Sequence, residues 1–128
     1  MIVAGIGCRT GASARDIEAA LSAALAQARL DPATLDIIAT SLAKSGETGI
    51  AAAASARGAQ LVLVTQMELE AADARVTTRS QRVLELTGVS SVAEAAALAV
   101  AGPQARLLVA RVAVGPATCA LAISGEPT

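Results

Sequence analysis

The sequence predicts an α/β protein, a three-layer α/β/α arrangement around a mixed, mostly parallel sheet of about five strands. Three observations lead to this prediction. Short apolar runs lack polar alternation, which is typical of parallel strands covered on both faces. These runs alternate with longer segments that have helical periodicity. The last two runs are separated only by Gly115-Pro116, a connection short enough for an antiparallel hairpin.

The first strand is predicted over Ile2–Ile6, and a glycine-rich turn leads from it into a helix over Ser13–Ala28. Ser13 is a predicted N-cap, with Asp16 three residues later as the acidic residue of a capping box. One face of the helix is apolar at helical spacing, through Ile17, Ala20, Leu21, Ala24, Leu25 and Ala28.

The remaining elements follow in the same alternation. Strand two is predicted over Asp36–Thr40, and the polar loop Ser41–Gly49 leads to an alanine-rich helix that Gly58 ends. Strand three is Leu61–Val64. Three helical segments come next, over 66–74, from Thr78 to a stop at Gly88, and from Ser91 to Gly102, before strands over 107–114 and 118–123. Residues 1–124 are predicted to form one domain, and residues 125–128 a frayed tail.

Composition excludes several kinds of chemistry. The 128 residues contain no His, Phe, Tyr or Trp, two Cys, and 10 basic against 11 acidic residues. A Ser-His-Asp or Cys-His triad cannot form, aromatic stacking is absent, and no metal site is predicted. No basic stripe suggests nucleic acid. The chain begins with a strand rather than a signal peptide, and no apolar stretch spans a bilayer, so we expect a cytoplasmic protein with reduced thiols and no membrane partner.

The loops after the first three strands, 7–12, 40–49 and 65–67, meet at one sheet edge if these strands are parallel. Arg9 lies in the first loop and Lys44, the only lysine, in the second. An arginine there can clamp a carboxylate or phosphate through two hydrogen bonds, and Glu47 can accept a proton. The alternatives stay open: Arg9 as a solvated loop residue, and Lys44 with Glu47 as a weak surface pair.

Cys8 and Glu94 are further candidates, each with a structural alternative. The helix start and the neighbouring Arg9 favour a Cys8 thiolate, but a small buried thiol is the preferred interpretation because no His is present. Glu94 completes a predicted capping box with Ser91, and direct ligand contact is the second interpretation. A dinucleotide site is disfavoured, because the glycine spacing is G-x-G-x-x-x-G and strand two ends without an acidic residue.

Four segments together resemble the CobE proteins and the C-terminal domain of CbiG, both of cobalamin (vitamin B12) biosynthesis. These are Gly5-Ile6-Gly7-Cys8-Arg9-x-Gly11, Lys44-x-x-Glu47-x-Gly49, the run from Thr87 to Leu98 that includes Ser91-Val92-Ala93-Glu94, and the closing strands with Arg111 and Thr118-Cys119-Ala120. The resemblance covers nearly the whole chain, in order.

The resemblance implies a small α/β/α domain that acts on or binds a polycarboxylated corrin-ring precursor. CbiG itself opens a lactone of a cobalt-precorrin, but the resemblance covers only its C-terminal part. The alternative is a non-catalytic interaction or carrier module for another enzyme of the pathway. A third hypothesis is an anion-binding hydrolase that uses Glu47 or Glu94 as a base of raised pKa. No cofactor is expected. The predicted catalytic candidates are Lys44, Glu47 and Glu94, and the predicted ligand-binding residues are Gly7, Cys8, Arg9, Gly11, Lys44, Glu47, Ser91 and Glu94.

Overall fold

Five strands and five α-helices make up the fold in a computed structural model, which describes residues 1–125. The strands are β1 (Ile2–Cys8), β2 (Leu35–Ser41), β3 (Gln60–Val64), β4 (Arg106–Val114) and β5 (Ala117–Ile123). The helices are α1 (Ala14–Ala28), α2 (Thr48–Arg57), α3 (Gln66–Ala72), α4 (Gln81–Thr87) and α5 (Val92–Ala101), with short 3-10 turns at 32–34, 42–44 and 73–75.

The strands form one sheet in the order β3-β2-β1-β5-β4. The pairs β1–β2 and β2–β3 are parallel, whereas β1–β5 and β4–β5 are antiparallel. The predicted mixed α/β sheet is therefore confirmed, with its parallel half formed by the first three strands and its antiparallel half by the closing hairpin. α1 and α2 cover one face, and α3 and α5 cover the other.

β1 extends two residues beyond the predicted strand and includes Gly7 and Cys8. Both residues keep pairing with β5, because Gly7 lies opposite Thr118 and Cys8 opposite Ala117. The prediction of a turn at 7–8 was wrong for this reason: the antiparallel neighbour supplies partners that the sequence of β1 does not reveal. The turn itself begins at Arg9.

Local capping chemistry explains most helix ends. The hydroxyl of Ser13 accepts from the Asp16 N–H while the Asp16 carboxylate accepts from the Ser13 N–H, which is the predicted capping box. Gly58 and Gly88 end α2 and α4 with positive φ angles of 66° and 80°. The predicted helix start at Thr78 was wrong, because Ser80 caps α4 through the Val83 N–H and the residues before it are extended or bent.

The core has two halves that the sheet separates. Ile6, Ile17 and Leu21 are among the buried residues on the α1–α2 face, and Val3 and Leu98 among those on the α5 face. α5 crosses β1 so closely that a Cβ atom on Gly5 would overlap the backbone carbonyl oxygen of Ala93. A glycine at this position therefore sets the spacing between helix and sheet.

The two ends of the domain lie together. The N–H of Ser124 donates to the carbonyl oxygen of Met1 at 3.0 Å. The tail predicted over 125–128 concerns mostly residues 126–128, which lie outside the described residues, while Gly125 packs against Gln104. Within residues 1–125, we find no helix whose length and hydropathy would let it span a membrane by itself. α4 and α5 reach that length and hydropathy only when they are taken together, and the angle between them is 68°.

Candidate functional site

The carboxyl ends of β1, β2 and β3 lie at one edge of the sheet, which we call the rim. The loops 9–13, 42–47 and residue Thr65 leave the three strands there and lead into α1, α2 and α3. α5 also begins at this edge, because Gly7 lies against Val92 and the amide of Ala93. The positive ends of four helices therefore point towards the rim, which favours negatively charged groups there.

Two of the predicted loops are joined directly. The N–H of Gly11 donates to Oε1 of Glu47 at 2.8 Å. Behind this bond, Gly49 approaches the carbonyl oxygen of Ala12 so closely that a Cβ atom would overlap it. The carboxylate of Glu47 therefore holds the first loop to the start of α2, a role that its spacing in the sequence did not predict.

No side chain caps α2. Its N-cap residue is Glu47, whose carboxylate bonds to Gly11 and makes no bond to an amide of its own helix. The first amides of α2 consequently lack a capping side chain, in contrast to those of α1, α3 and α5.

Cys8 lies half-buried beside Lys44 and Glu47. Burial raises the pKa of the Cys8 thiol, the charge of Lys44 opposes this effect, and the charge of Glu47 adds to it, so that the pKa lies above its ordinary value. The structure therefore favours the neutral thiol over the thiolate considered from the sequence. Cys8 ends β1, and Lys44 and Glu47 lie in the loop after the neighbouring strand β2, so the topology brings these three residues to the rim.

Arg9 lies at the same edge, on the side of the closing hairpin. Its N–H donates to the carbonyl oxygen of Pro116 at 2.9 Å, and its carbonyl accepts from Ala12. The backbone is thereby fixed between β1 and the β4–β5 turn, while the residue as a whole is exposed. Among residues 1–125, neither Arg9 nor Lys44 forms an ion pair.

Glu94 has a different place from the one predicted. Its side chain is fully buried, and its carboxylate accepts from the N–H groups of Thr77 (2.7 Å), Thr78 (3.0 Å) and Arg111 (2.9 Å), and from both threonine hydroxyls. Burial raises the pKa of Glu94, but these hydrogen bonds outweigh it, and the pKa is lowered. The hypothesis of Glu94 as a base with raised pKa was therefore wrong.

The predicted capping box at α5 is only half present. Ser91 is buried and its hydroxyl accepts from the Glu94 N–H at 3.3 Å, but the Glu94 carboxylate does not return to the Ser91 N–H. It reaches β4 instead, where Ala110 and Arg111 together oppose the single residue Ala120. This bulge releases the Arg111 amide from the strand ladder.

The Glu94 network was missed by sequence reasoning, although a signal was present. Glu94 is the only charged residue in α5, a helix that is otherwise apolar on every side. Such a residue is buried with the rest of its helix and requires internal donors. A second polar cluster was also missed: Asp73 accepts from the Ser90 N–H at 2.8 Å and pairs with Arg79 at 3.6 Å.

Two clefts lie outside the rim residues. One of about 570 Å³ separates α1 from α2 and is lined by Arg15, Glu18 and Arg57, and one of about 360 Å³ is lined by Asp73, Arg79 and Ser90. Neither includes Arg9, Lys44 or Glu47. Within residues 1–125, no three His, Cys, Asp or Glu side chains are grouped as metal ligands would be.

Fold and site together define a small α/β/α domain with a polar, cation-bearing rim at the carboxyl ends of its parallel strands. The model of the family described as Cobalamin synthesis G C-terminus matches residues 2–122. Protein CobE from Sinorhizobium sp. is 36% identical over 121 residues, which cover 94% of this chain and 79% of the relative. The chain belongs to the Cobalamin synthesis G C-terminus family and is a protein of the cobalamin biosynthesis pathway.

Solved structures agree with this assignment. A crystal structure of CobE, a protein from the cobalamin (vitamin B12) biosynthetic pathway, superposes with a TM-score of 0.93 at 35% identity, over 100% of this chain and 93% of the other. Cobalamin biosynthesis protein chiG from Agrobacterium tumefaciens str. C58 has a TM-score of 0.79 at 43% identity, over 98% and 100% of the two chains. The resemblance to the CobE and CbiG C-terminal domain is thereby confirmed.

Proposed function

We propose that the rim binds a polycarboxylated corrin-ring precursor of the cobalamin pathway. One observation carries the proposal: Arg9 and Lys44, which make no ion pair within residues 1–125, lie at the sheet edge towards which four helix N-termini point. Carboxylates are the groups that such an arrangement recognises, and corrin precursors bear several around the ring.

Each rim residue has a distinct part in this proposal. The guanidinium of Arg9 binds one carboxylate through two hydrogen bonds, and Lys44 supplies a point charge to a second. Glu47 acts through the Gly11 amide, because this 2.8 Å hydrogen bond ties the first loop to the residue that precedes α2. Glu47 is therefore a positioning residue. Ser91 and Glu94 are buried, so the proposal gives neither a direct contact with the ligand.

The apolar ring requires aliphatic cover, because the chain has no aromatic residue. Leu42 begins the 3-10 turn that ends with Lys44 and is 49% exposed. Met67 lies in the first turn of α3, after β3, and is 80% exposed. We assign these two side chains to contact with the macrocycle, beside the cations that hold its carboxylates.

An absorbance titration with hydrogenobyrinic acid tests the proposal, because this corrinoid carries the carboxylates and absorbs visible light. We expect saturable binding that weakens with salt. Arg9→Ala and Lys44→Ala should each weaken it about tenfold, the effect of losing a charge-assisted hydrogen bond. Arg106→Ala is the matched control. Arg106 begins β4 opposite Ile123, at the end of the sheet that lies away from the rim.

A titration without saturation, or equal weakening by all three variants, would argue against a corrinoid site at the rim. The second candidate, a non-catalytic interaction module, then gains support if an Arg9→Ala/Lys44→Ala double variant restores cobalamin synthesis in a strain lacking the gene. In that case a methyltransferase or another pathway enzyme should co-purify with the chain. Action in the cytoplasm remains part of this proposal.

A further inference from the structure

The outer edge of β3 is an unprotected strand edge. β3 pairs only with β2, and within residues 1–125 no backbone hydrogen bond from another element reaches its other side. Its sequence, Gln60-Leu-Val-Leu-Val64, contains no charge and no proline, and its register with β2 has no bulge. Edge strands usually carry one of these features, because an open row of N–H and C=O groups attracts other strands.

The opposite edge of the same sheet has the protection that β3 lacks. β4 carries the cations Arg106 and Arg111, and its pairing with β5 is interrupted by bulges. The amide of Arg111 is bonded to the Glu94 carboxylate at 2.9 Å. The edge strand β4 therefore has charged side chains and bulges that disfavour pairing with another strand, whereas the edge strand β3 has neither.

Next to β3, the helix α2 exposes only small, uncharged side chains. α2 connects β2 to β3 and packs on β3, and its exposed residues are Thr48, Ala51, Ala52, Ser55 and Ala56. Small side chains on a helix allow a second helix to approach closely. Leu63 is 38% exposed on the edge itself, so the open strand presents a large apolar side chain to an approaching strand.

We propose that β3 pairs with β3 of a second copy of this chain, in antiparallel orientation, to form a continuous ten-stranded sheet. The strand is self-complementary when a two-fold axis passes through Val62. Leu61 then lies opposite the partner's Leu63, and Gln60 opposite the partner's Val64. The leucine pairs fall on the face that α2 covers, since Leu61 packs against the α1–α2 core and Leu63 points the same way.

The size of the surface sets the expected strength of association. A five-residue strand is about 17 Å long. A standard interface buries about 800 Å² on each partner, so the backbone pairing must be supplemented by contact between the two α2 helices. We therefore expect a dimer that dissociates in the micromolar range. The antiparallel arrangement places the two rims at opposite ends of the dimer, so both stay open to a ligand.

Sedimentation velocity of the full chain, from about 1 to 200 µM, covers the range expected for an interface of this size. The weight-average mass should rise from 12.6 kDa towards twice that value. Leu63→Lys should raise the dissociation constant at least about tenfold, because a lysine on an edge strand opposes pairing. Leu86→Lys is the matched control, since Leu86 is 73% exposed on α4 and takes no part in the proposed strand pairing.

A second measurement covers the case in which Leu63→Lys impairs folding. In the wild-type chain, the amides of β3 that point away from β2 should exchange hydrogen more slowly at high than at low protein concentration. The exchange rates of the β4 amides should not depend on concentration. A mass of 12.6 kDa throughout the concentration range would overturn the proposal. So would association that Leu63→Lys and Leu86→Lys leave equally strong, or β3 exchange that is independent of concentration.

Discussion

Glu94 shows how one side chain joins parts of the chain that are distant in sequence. Its carboxylate binds backbone amides of the segment before α4 and of β4, from a position in the first turn of α5. A buried carboxylate without donors costs several kcal/mol, so these bonds are a condition of its burial. The residue is therefore structural, although it stands beside Ser91 at the helix start that faces the rim.

Glu94→Gln tests this structural role at nearly constant volume. The amide NH₂ replaces one acceptor oxygen, so at least one buried N–H among those of Thr77, Thr78 and Arg111 loses its partner. We expect the free energy of unfolding to fall by about 2 kcal/mol. Urea denaturation measures it. Glu85→Gln, at an exposed position of α4, should change it by less than about 0.5 kcal/mol; equal effects would contradict the assignment.

The lowered pKa of Glu94 predicts a pH dependence. A carboxyl whose pKa is lower in the folded than in the unfolded chain stabilises the fold above the unfolded value of 4.5, and this stabilisation is lost as the pH falls through the folded pKa. The difference in unfolding free energy between wild type and Glu94→Gln should thus be constant near neutrality and shrink on acidification below 4.5. Urea titrations at several pH values check this. A difference in unfolding free energy that grows in acid would contradict a lowered pKa of Glu94.

At the scale of elements, the contact between α5 and β1 depends on the absence of a side chain. Gly5→Ala places a Cβ atom against the Ala93 carbonyl, and the helix must move off the sheet. We expect a loss of at least about 3 kcal/mol of stability, the upper range for overpacking. Thermal and urea denaturation measure it. Gly46→Ala is the control, because a Cβ atom there has no neighbour within 4 Å.

Most elements could be predicted because their signals are local. Ser13 with Asp16, and glycines such as Gly58 and Gly88, set helix ends through bonds and φ angles within a few residues. The helix start misplaced at Thr78 is a local error, whereas two other errors arose where a distant partner decides. Gly7 and Cys8 are strand residues because β5 lies beside them, and the Glu94 carboxylate leaves its capping position because β4 offers an unpaired amide.

For the whole molecule, Cys119 reports on cooperative unfolding. It is fully buried, and burial raises its pKa to about 12 although the charge of Arg57 opposes this effect. In a Cys8→Ala variant, alkylation of Cys119 should be at least about a thousandfold slower in buffer than in urea, because only opened molecules react. Mass spectrometry follows the labelling; comparable rates in both solvents would show that this core opens locally.

The convergence of the rim loops could be predicted from topology, since parallel strands bring their carboxyl ends to one edge. Arg9 and Lys44 reach that edge for this reason. The contacts within the rim could not be predicted, because the bond between Gly11 and Glu47 depends on how α1 and α2 pack. The order of strands and helices along the chain predicts the overall arrangement, whereas the hydrogen-bond partners of individual side chains depend on tertiary packing.

The hydrogen bond from Ser124 to Met1 joins the start of β1 to the end of β5, at the end of the sheet far from the rim. A domain whose first strand starts beside the end of its last strand can be grafted into a loop of a host, or carry an extension at either of these points, with little strain. Joining the ends with a short linker and opening the backbone at an exposed turn such as Gly102-Pro103 would keep every strand pair intact. Attachment at this end of the sheet leaves the rim uncovered.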